Sequence, residues 1–227
     1  MSTTSTPERR SDVARRLELV RARIESAGGH GVQLVAVTKG FGEEAIDACV
    51  SAGCLDIGEN YAQEAVVKWT AFDPPSGRLH FIGRLQTNKV RLLAPHVALW
   101  QSVDRPAAAD AIAKAAPNAR VLVQVNVSDE PHKGGCAPGA VGSLIEHALE
   151  RGLTVEGLMT VGRTGRPREA ASGFATLRGL VDRHHLAICS MGMSDDLEIA
   201  VAEGATMVRI GSALLGMRPS HPRAELA

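Results

Sequence analysis

Aromatic side chains are scarce, with one tyrosine, two tryptophans and four phenylalanines in 227 residues. No aromatic-rich segment is present on which bases could stack. The 25 basic residues balance the 25 acidic ones and are spread along the chain. A nucleic-acid surface would need a basic patch, so nucleic acid is not an expected partner. Long apolar runs are also missing: none approaches the ~20 residues that span a bilayer, so no membrane partner is expected. The opening MSTTSTPERRSD has no apolar stretch and is not a secretory signal; residues 1–8 read as a disordered tail. Cysteine is limited to Cys49, Cys54, Cys136 and Cys189, without C-x₂-C pairing or a histidine spacing typical of zinc. A structural metal or disulfide framework is therefore not expected, and scattered, reduced, mostly buried thiols fit a cytoplasmic protein. Neither G-x-G-x-x-G nor G-x-x-x-x-G-K-[ST] occurs, which removes the usual dinucleotide and P-loop signatures.

What the chain does contain is alternation. Val13, Leu17, Val20 and Ile24 fall at helical spacing over residues 9–27, and Gly28-Gly29 ends that helix. Apolar, β-branched runs then begin near Leu34, Leu55, Leu79, Ala98, Val121, Leu153, Leu186 and Thr206. Between them lie stretches of helical character such as Glu43 to Ala52 and Val141 to Ala148. Strands alternating with helices imply right-handed crossovers and a parallel sheet. Eight such units in a chain of this length predict a lean α/β TIM barrel, (β/α)₈, with an extra N-terminal helix. A doubly wound sheet would have fewer strands and a Gly-rich first turn. No linker divides the chain, so residues 9–217 are expected to form one domain, followed by a tail over 218–227.

In such barrels the site lies at the C-terminal ends of the strands. Lys39 closes LVAVTK, and alternation puts Val35, Val37 and Lys39 on one face. If that face is the lumen, partial desolvation disfavours the ammonium and leaves the free amine that imine formation requires. The plainer alternative is a strand-end lysine reaching into solvent. SMGMSDD (Ser190 to Asp196) follows the seventh strand, with Ser194 placed to N-cap the next helix. The same segment could cradle a phosphate with backbone N–H groups, provided Asp195 and Asp196 point outward. MVRIGSALLG (Met207 to Gly216) ends the eighth strand, where Gly211 and Ser212 can offer N–H groups and a hydroxyl. Arg209 alternates onto the face of Met207 and Gly211, toward the lumen; a salt bridge to a barrel carboxylate is its bland reading. Lysine, lumen arginine and a two-loop phosphate cradle together suggest a phosphorylated aldehyde. Gln124 and Asn126 share a face that could line the upper lumen. His80, His132 and the pair His184-His185 lack partners at any catalytic spacing, and the PHKGG loop (Pro131 to Gly135) reads as turn chemistry.

At these residues the sequence resembles the YggS/PROSC family of pyridoxal-phosphate-binding homeostasis proteins. The resemblance runs from about Leu17 to Gly216 and rests on VAVTK, IGENYAQE, HFIGRLQTNK, QSVD, GLMTVG, SMGMSDDLEIA and TMVRIGSALLG in that order. It implies a barrel like the N-terminal domain of alanine racemase (fold-type III), with pyridoxal 5′-phosphate held as a Schiff base on Lys39. It further implies that Ser194, Gly211 and Ser212 bind the phosphate, that Arg209 lies near the pyridine nitrogen, and that Asn60 and Met159 line the pocket. Ser212 stands where the family usually has threonine, and Leu215 where an aromatic is common; the hydroxyl survives the first change.

The expected role is a non-catalytic binder in vitamin B₆ homeostasis: a monomer whose partners are the cofactor and pyridoxal-phosphate-dependent apo-enzymes. A weak amino-acid racemase is the enzyme alternative. Racemisation needs acid–base groups on both faces of a carbanion. Alanine racemase supplies the second as a tyrosine accompanying a further domain, whereas the one tyrosine here is Tyr61. An arginine at the pyridine nitrogen also weakens the ring as an electron sink. A cofactor-independent aldolase would share the lysine but leave the phosphate loops and Arg209 without a common purpose.

Overall fold

The computed structural model describes residues 5–72, 76–128, 130, 133–162 and 169–217. Its strands are β1 (Gln33–Val37), β2 (Asp56–Glu59), β3 (Arg78–Phe81), β4 (Val97–Val103), β5 (Arg120–Gln124), β6 (Thr154–Met159), β7 (Ile188–Ser190) and β8 (Met207–Ile210). All pair in parallel with their sequence neighbours, and β8 returns to β1, closing the barrel. Each expected strand begins within two residues of its observed start.

The helices outside the barrel include α1 (Pro7–Ser26), α2 (Glu43–Ser51), α3 (Ala62–Phe72), α4 (Val90–Leu93), α5 (Pro106–Ala115), α6 (Val141–Glu150), α7 (Ala171–Arg183), α8 (Leu197–Ala202) and α9 (Ser212–Leu215). Helix α1 buries Val13, Leu17, Val20 and Ile24, the stripe that the spacing picks out. It begins two residues earlier than expected, because Thr6 accepts from the Arg9 N–H and Pro7 occupies the first turn, where a missing N–H costs nothing. Residues 5–8 are thus not part of a tail. Ser5 is buried, and its N–H and hydroxyl both donate to Asp47 of α2, which Arg10 also holds at 2.8 Å. Residues 1–4 and 218–227, the expected outer tails, lie outside the described residues.

Alternation along each strand separates two apolar populations. Outward residues such as Ala36, Ile57, Leu79, Trp100, Val123, Leu158 and Val208 pack under the helices. Inward residues Val35, Leu99, Leu122, Met159 and Met207 form a smaller cluster that fills the lumen. The cysteines are free, and burial pushes the Cys54 and Cys189 thiols up to about 11, so they behave as inert packing groups. Among the described residues no helix is long and apolar enough to cross a membrane, and no cluster of three or more His, Cys, Asp or Glu could hold a metal.

The floor of the lumen is polar. At the N-terminal end of β2, Asp56 takes two bonds from Arg78 (2.6 and 2.8 Å), one from Gln33 (2.8 Å) and a contact from His80 Nε2 (3.1 Å). Burial alone would raise the Asp56 carboxyl, but the bonds from His80, Arg78 and Gln33 outweigh it and hold the group well below the usual carboxylate range. Its folded pKa being depressed, Asp56 contributes stability above the ordinary aspartate value, and that contribution is lost as pH falls toward the folded one. Asp56→Asn should therefore cost about 2 kcal/mol at pH 7, the scale of a hydrogen bond to a charged group. The difference should shrink as pH drops below about 4. Urea unfolding at pH 7 and pH 3 checks this; a penalty that stays constant would mean the ionised carboxylate is not what stabilises the floor.

Candidate functional site

At the opposite end of the barrel, the C-terminal mouth, a cavity of about 570 Å³ opens. Its lining includes Lys39, Asn60, Ser194, Arg209, Gly211 and Ser212, with Val37, Phe41, Ile82 and Val161 among its apolar walls. The size lies within the roughly 300–1,000 Å³ usual for small-molecule pockets. Six of the seven expected site residues therefore converge. The seventh, Met159, does not line the cavity: it is 1% exposed and packs in the lumen cluster with Leu122.

Lys39 is half-buried rather than extended into bulk solvent. The backbone on either side of it is clamped from β2 and α3. Thr38 donates its hydroxyl to Glu59 (2.6 Å), and its carbonyl accepts from Lys68 Nζ (2.9 Å). The Gly40 N–H donates to Glu64 (2.6 Å), while Lys68 also binds Glu59 (2.7 Å) and Glu64. Glu59 is fully buried; desolvation pushes its carboxyl up, opposed by the charge and hydrogen bond of Lys68. The sequence reading missed these positioning residues. Their signal was present in the i, i+4 pair Glu64 and Lys68, but only the β1–β2 pairing brings that pair under Lys39.

Ser194 does not cap a helix. Helix α8 begins at Leu197, and Ser194 Oγ instead accepts from the Ala213 N–H (3.2 Å), tying the loop after β7 to the first turn of α9. Gly192, at φ +92°, turns the chain there, and a side chain would collide with Ala200. Arg23 of α1 anchors the loop from outside through the Ser194 carbonyl (3.1 Å) and Glu198 (2.6 Å). Asp196 points neither to solvent nor into the cavity lining, so its carboxylate is kept off the Ser194–Gly211–Ser212 group by burial rather than by exposure. It is buried and accepts from the Met193 N–H, and burial raises its carboxyl while Met193 and Arg209 pull it down. Asp195 is exposed at the cavity edge.

Arg209 is 4% exposed and, as alternation implies, faces inward. Its partners are neutral oxygens rather than the barrel carboxylate of the plainer alternative: Nη1 donates to Ser190 Oγ (2.8 Å) and Nη2 to the Thr160 carbonyl (2.6 Å). Burial lowers its pKa to about 10, so it stays charged at neutral pH. Gln124 and Asn126 bind the Gly134 and Glu130 carbonyls and hold the loop after β5 instead of lining the cavity. Pro131 and His132 of that loop lie outside the described residues.

The family model for the alanine racemase N-terminal domain matches residues 10–219. A pyridoxal phosphate homeostasis protein of Pseudomonas aeruginosa is 40% identical over 222 residues, covering 92% of this chain and 96% of that protein. The chain belongs to this family. PipY of Synechococcus elongatus, solved with PLP bound, matches this homeostasis-family chain at a TM-score of 0.78 and 31% identity, over 90% of this chain and all of that one. Alanine racemase of Streptomyces lavendulae shares the fold at a TM-score of 0.73 and 19% identity, over 93% of this chain but 58% of the racemase.

Lys68→Met should leave the Glu59 carboxylate buried without its cation and cost about 3–5 kcal/mol at neutral pH. Because the folded pKa of Glu59 is raised, protonation relieves the penalty, and the variant should regain stability between pH 7 and pH 5. Adding Glu59→Gln should recover most of the loss. Denaturant midpoints at the two pH values decide it: a pH-independent loss that the double variant does not relieve would show that packing, not charge, is at stake.

Proposed function

We propose that this protein binds pyridoxal 5′-phosphate at the mouth of its barrel, covalently through the Lys39 amine, and serves vitamin B₆ homeostasis by holding and releasing the cofactor without turning over a substrate. The observation that carries this reading is the convergence of one amine, one buried guanidinium and the Ser194–Gly211–Ser212 group on a single apolar-walled cavity. That donor set fits the cofactor: a lysine for an aldehyde, hydroxyls at a turn for a phosphate, and a fixed cation for a ring nitrogen. Asn60 Oδ1, buried without a partner at the cavity, is a further polar atom available to a bound molecule. The pyridoxal phosphate homeostasis relatives and the PLP-bound PipY structure support the same assignment.

When bound, the aldehyde supplies an electrophilic carbon to amines. Lys39 would hold the aldehyde end, the two serine hydroxyls and the turn at Gly211 would hold the phosphate end, and Val37, Phe41, Ile82 and Val161 would exclude water from the ring. Arg209, still charged at neutral pH in its buried setting, would donate toward a ring nitrogen and leave it unprotonated, which would weaken carbanion stabilisation. Tyr61 is 58% exposed and belongs to a separate depression with Arg84, Gln86 and Lys89, so it does not face Lys39 across the cavity. Both features favour a carrier over a two-base racemase. A monomer in the cytoplasm, handing cofactor to apo-enzymes, completes the proposal; the free cysteines accord with a reducing compartment.

Addition of pyridoxal phosphate should give a visible absorption band in the wild type and none in Lys39→Ala. Borohydride reduction followed by peptide mapping should place the adduct on Lys39; a label scattered over surface lysines would refute the assignment. With D- or L-alanine in deuterated water, the loaded protein should exchange the Cα proton far below ordinary enzyme rates, roughly 1–10³ s⁻¹. Exchange within that range would make it an enzyme.

A further inference from the structure

Arg209 is the last member of a hydrogen-bonded chain that crosses the lumen to its polar floor. Arg209 Nη1 donates to Ser190 Oγ of β7 (2.8 Å), and Ser190 Oγ donates to Gln101 Oε1 of β4 (2.8 Å). Gln101 Nε2 lies 2.9 Å from His80 Nδ1 of β3, and His80 Nε2 lies 3.1 Å from Asp56 Oδ1 of β2. Every member is buried, with Gln101 and Ser190 at 0% exposure.

The direction of this chain is fixed by elementary chemistry. A guanidinium only donates, so Ser190 accepts from it, and with the Gln101 carboxamide oxygen facing Ser190 the hydroxyl donates its own hydrogen to Gln101. That turns the carboxamide so that its NH₂ faces His80, with Met207 Sδ as a second neighbour at 3.3 Å. His80 must then be unprotonated at Nδ1 and carry its hydrogen on Nε2, aimed at the Asp56 carboxylate. Asp56 is in turn locked by Arg78 and Gln33.

We infer that Ser190, Gln101 and His80 are positioning residues that orient and polarise Arg209, coupling the Asp56 carboxylate at the floor of the barrel to the electronic state of the ring bound at its mouth. The inference rests on the pyridoxal phosphate reading. The chain ends in a negative charge, so each link becomes a better acceptor for the one above it, and the guanidinium is held in one plane as a donor. His80, which has no partner at any catalytic spacing in the sequence, acquires two because β2 and β4 flank its strand.

Two measurements test it. Side-chain ¹⁵N NMR of the unloaded protein should find His80 neutral with its hydrogen on Nε2. Gln101→Glu, which can only accept at that position, should drive a second proton onto Nδ1. In the loaded protein, Ser190→Ala should move the visible band of the Lys39 adduct and weaken cofactor binding about tenfold, the effect of losing a hydrogen bond to a charged group. Ser190→Thr should restore both. Gln101→Met, one link further from the cavity, should move the band in the same sense and stands in if Ser190→Ala does not fold. A merely structural role would alter stability or affinity without moving the band. A hydrogen on His80 Nδ1, or a band unmoved in Ser190→Ala and Gln101→Met while the Lys39 adduct still forms, overturns the chain. Failure of the wild type to form that adduct would instead sink the cofactor reading, and the His80 tautomer would still decide the chain.

Discussion

A guanidinium with almost no access to water sits inside the upper lumen, and most of the site is arranged around that charge. Taking an ion out of water costs several kcal/mol unless hydrogen bonds replace its hydration. Arg209 obtains them from the Thr160 carbonyl and Ser190 hydroxyl, and Thr160 is itself fixed because its hydroxyl donates to the Val125 carbonyl (2.7 Å). Among the described residues no counter-charge touches the guanidinium. Asp196 is near enough to act through space but spends an oxygen on the Met193 N–H. A cation held by neutral groups keeps its charge available to whatever enters the cavity.

The same logic recurs at Lys39, which lines the cavity and has the positions on either side of it pinned. Thr38 and Gly40 are tied to Glu59, Glu64 and Lys68, so β2 and α3 determine where β1 delivers its last residue. The N-terminal helix is part of this device rather than an appendage. Through Arg23 it holds the Ser194 loop from outside, and through Arg10 it holds α2, which follows Lys39 in the chain. Rigid elements thus carry both halves of the cavity lining.

Much of this was legible in the residues. The alternation of β-branched runs with helical stretches led to eight strands, and the period-2 pattern at Val35, Val37 and Lys39, and at Met207 and Arg209, led to lumen-facing side chains. Both outcomes depend on local spacing, which the barrel preserves. Three positions differ from what local spacing alone suggests, each through a longer-range effect. Ser194 is a good cap by type, yet its hydroxyl found the Ala213 N–H from the next loop and the helix began at Leu197, two residues beyond the start such a cap would give. The phosphate cradle needed Asp195 and Asp196 to point outward, and Asp196 instead turns into its own loop, where the Met193 N–H takes it as acceptor. Met159, placed at the pocket by the resemblance, packs within the lumen cluster.

By itself the sequence determined the period of the pattern, and with it the number of strands, the inward face of each and the order in which Lys39, Ser194, Arg209 and Ser212 arrive at one end of the barrel. Those properties follow from backbone geometry, which repeats every two residues in a strand and every 3.6 in a helix. Tertiary structure alone decided which polar groups meet. His80, Gln101 and Ser190 are far apart in the chain, and their partners are set by strand neighbours and by the depth each reaches in the lumen. A buried donor or acceptor must find a partner wherever closure places one, and that choice has no local spacing to read.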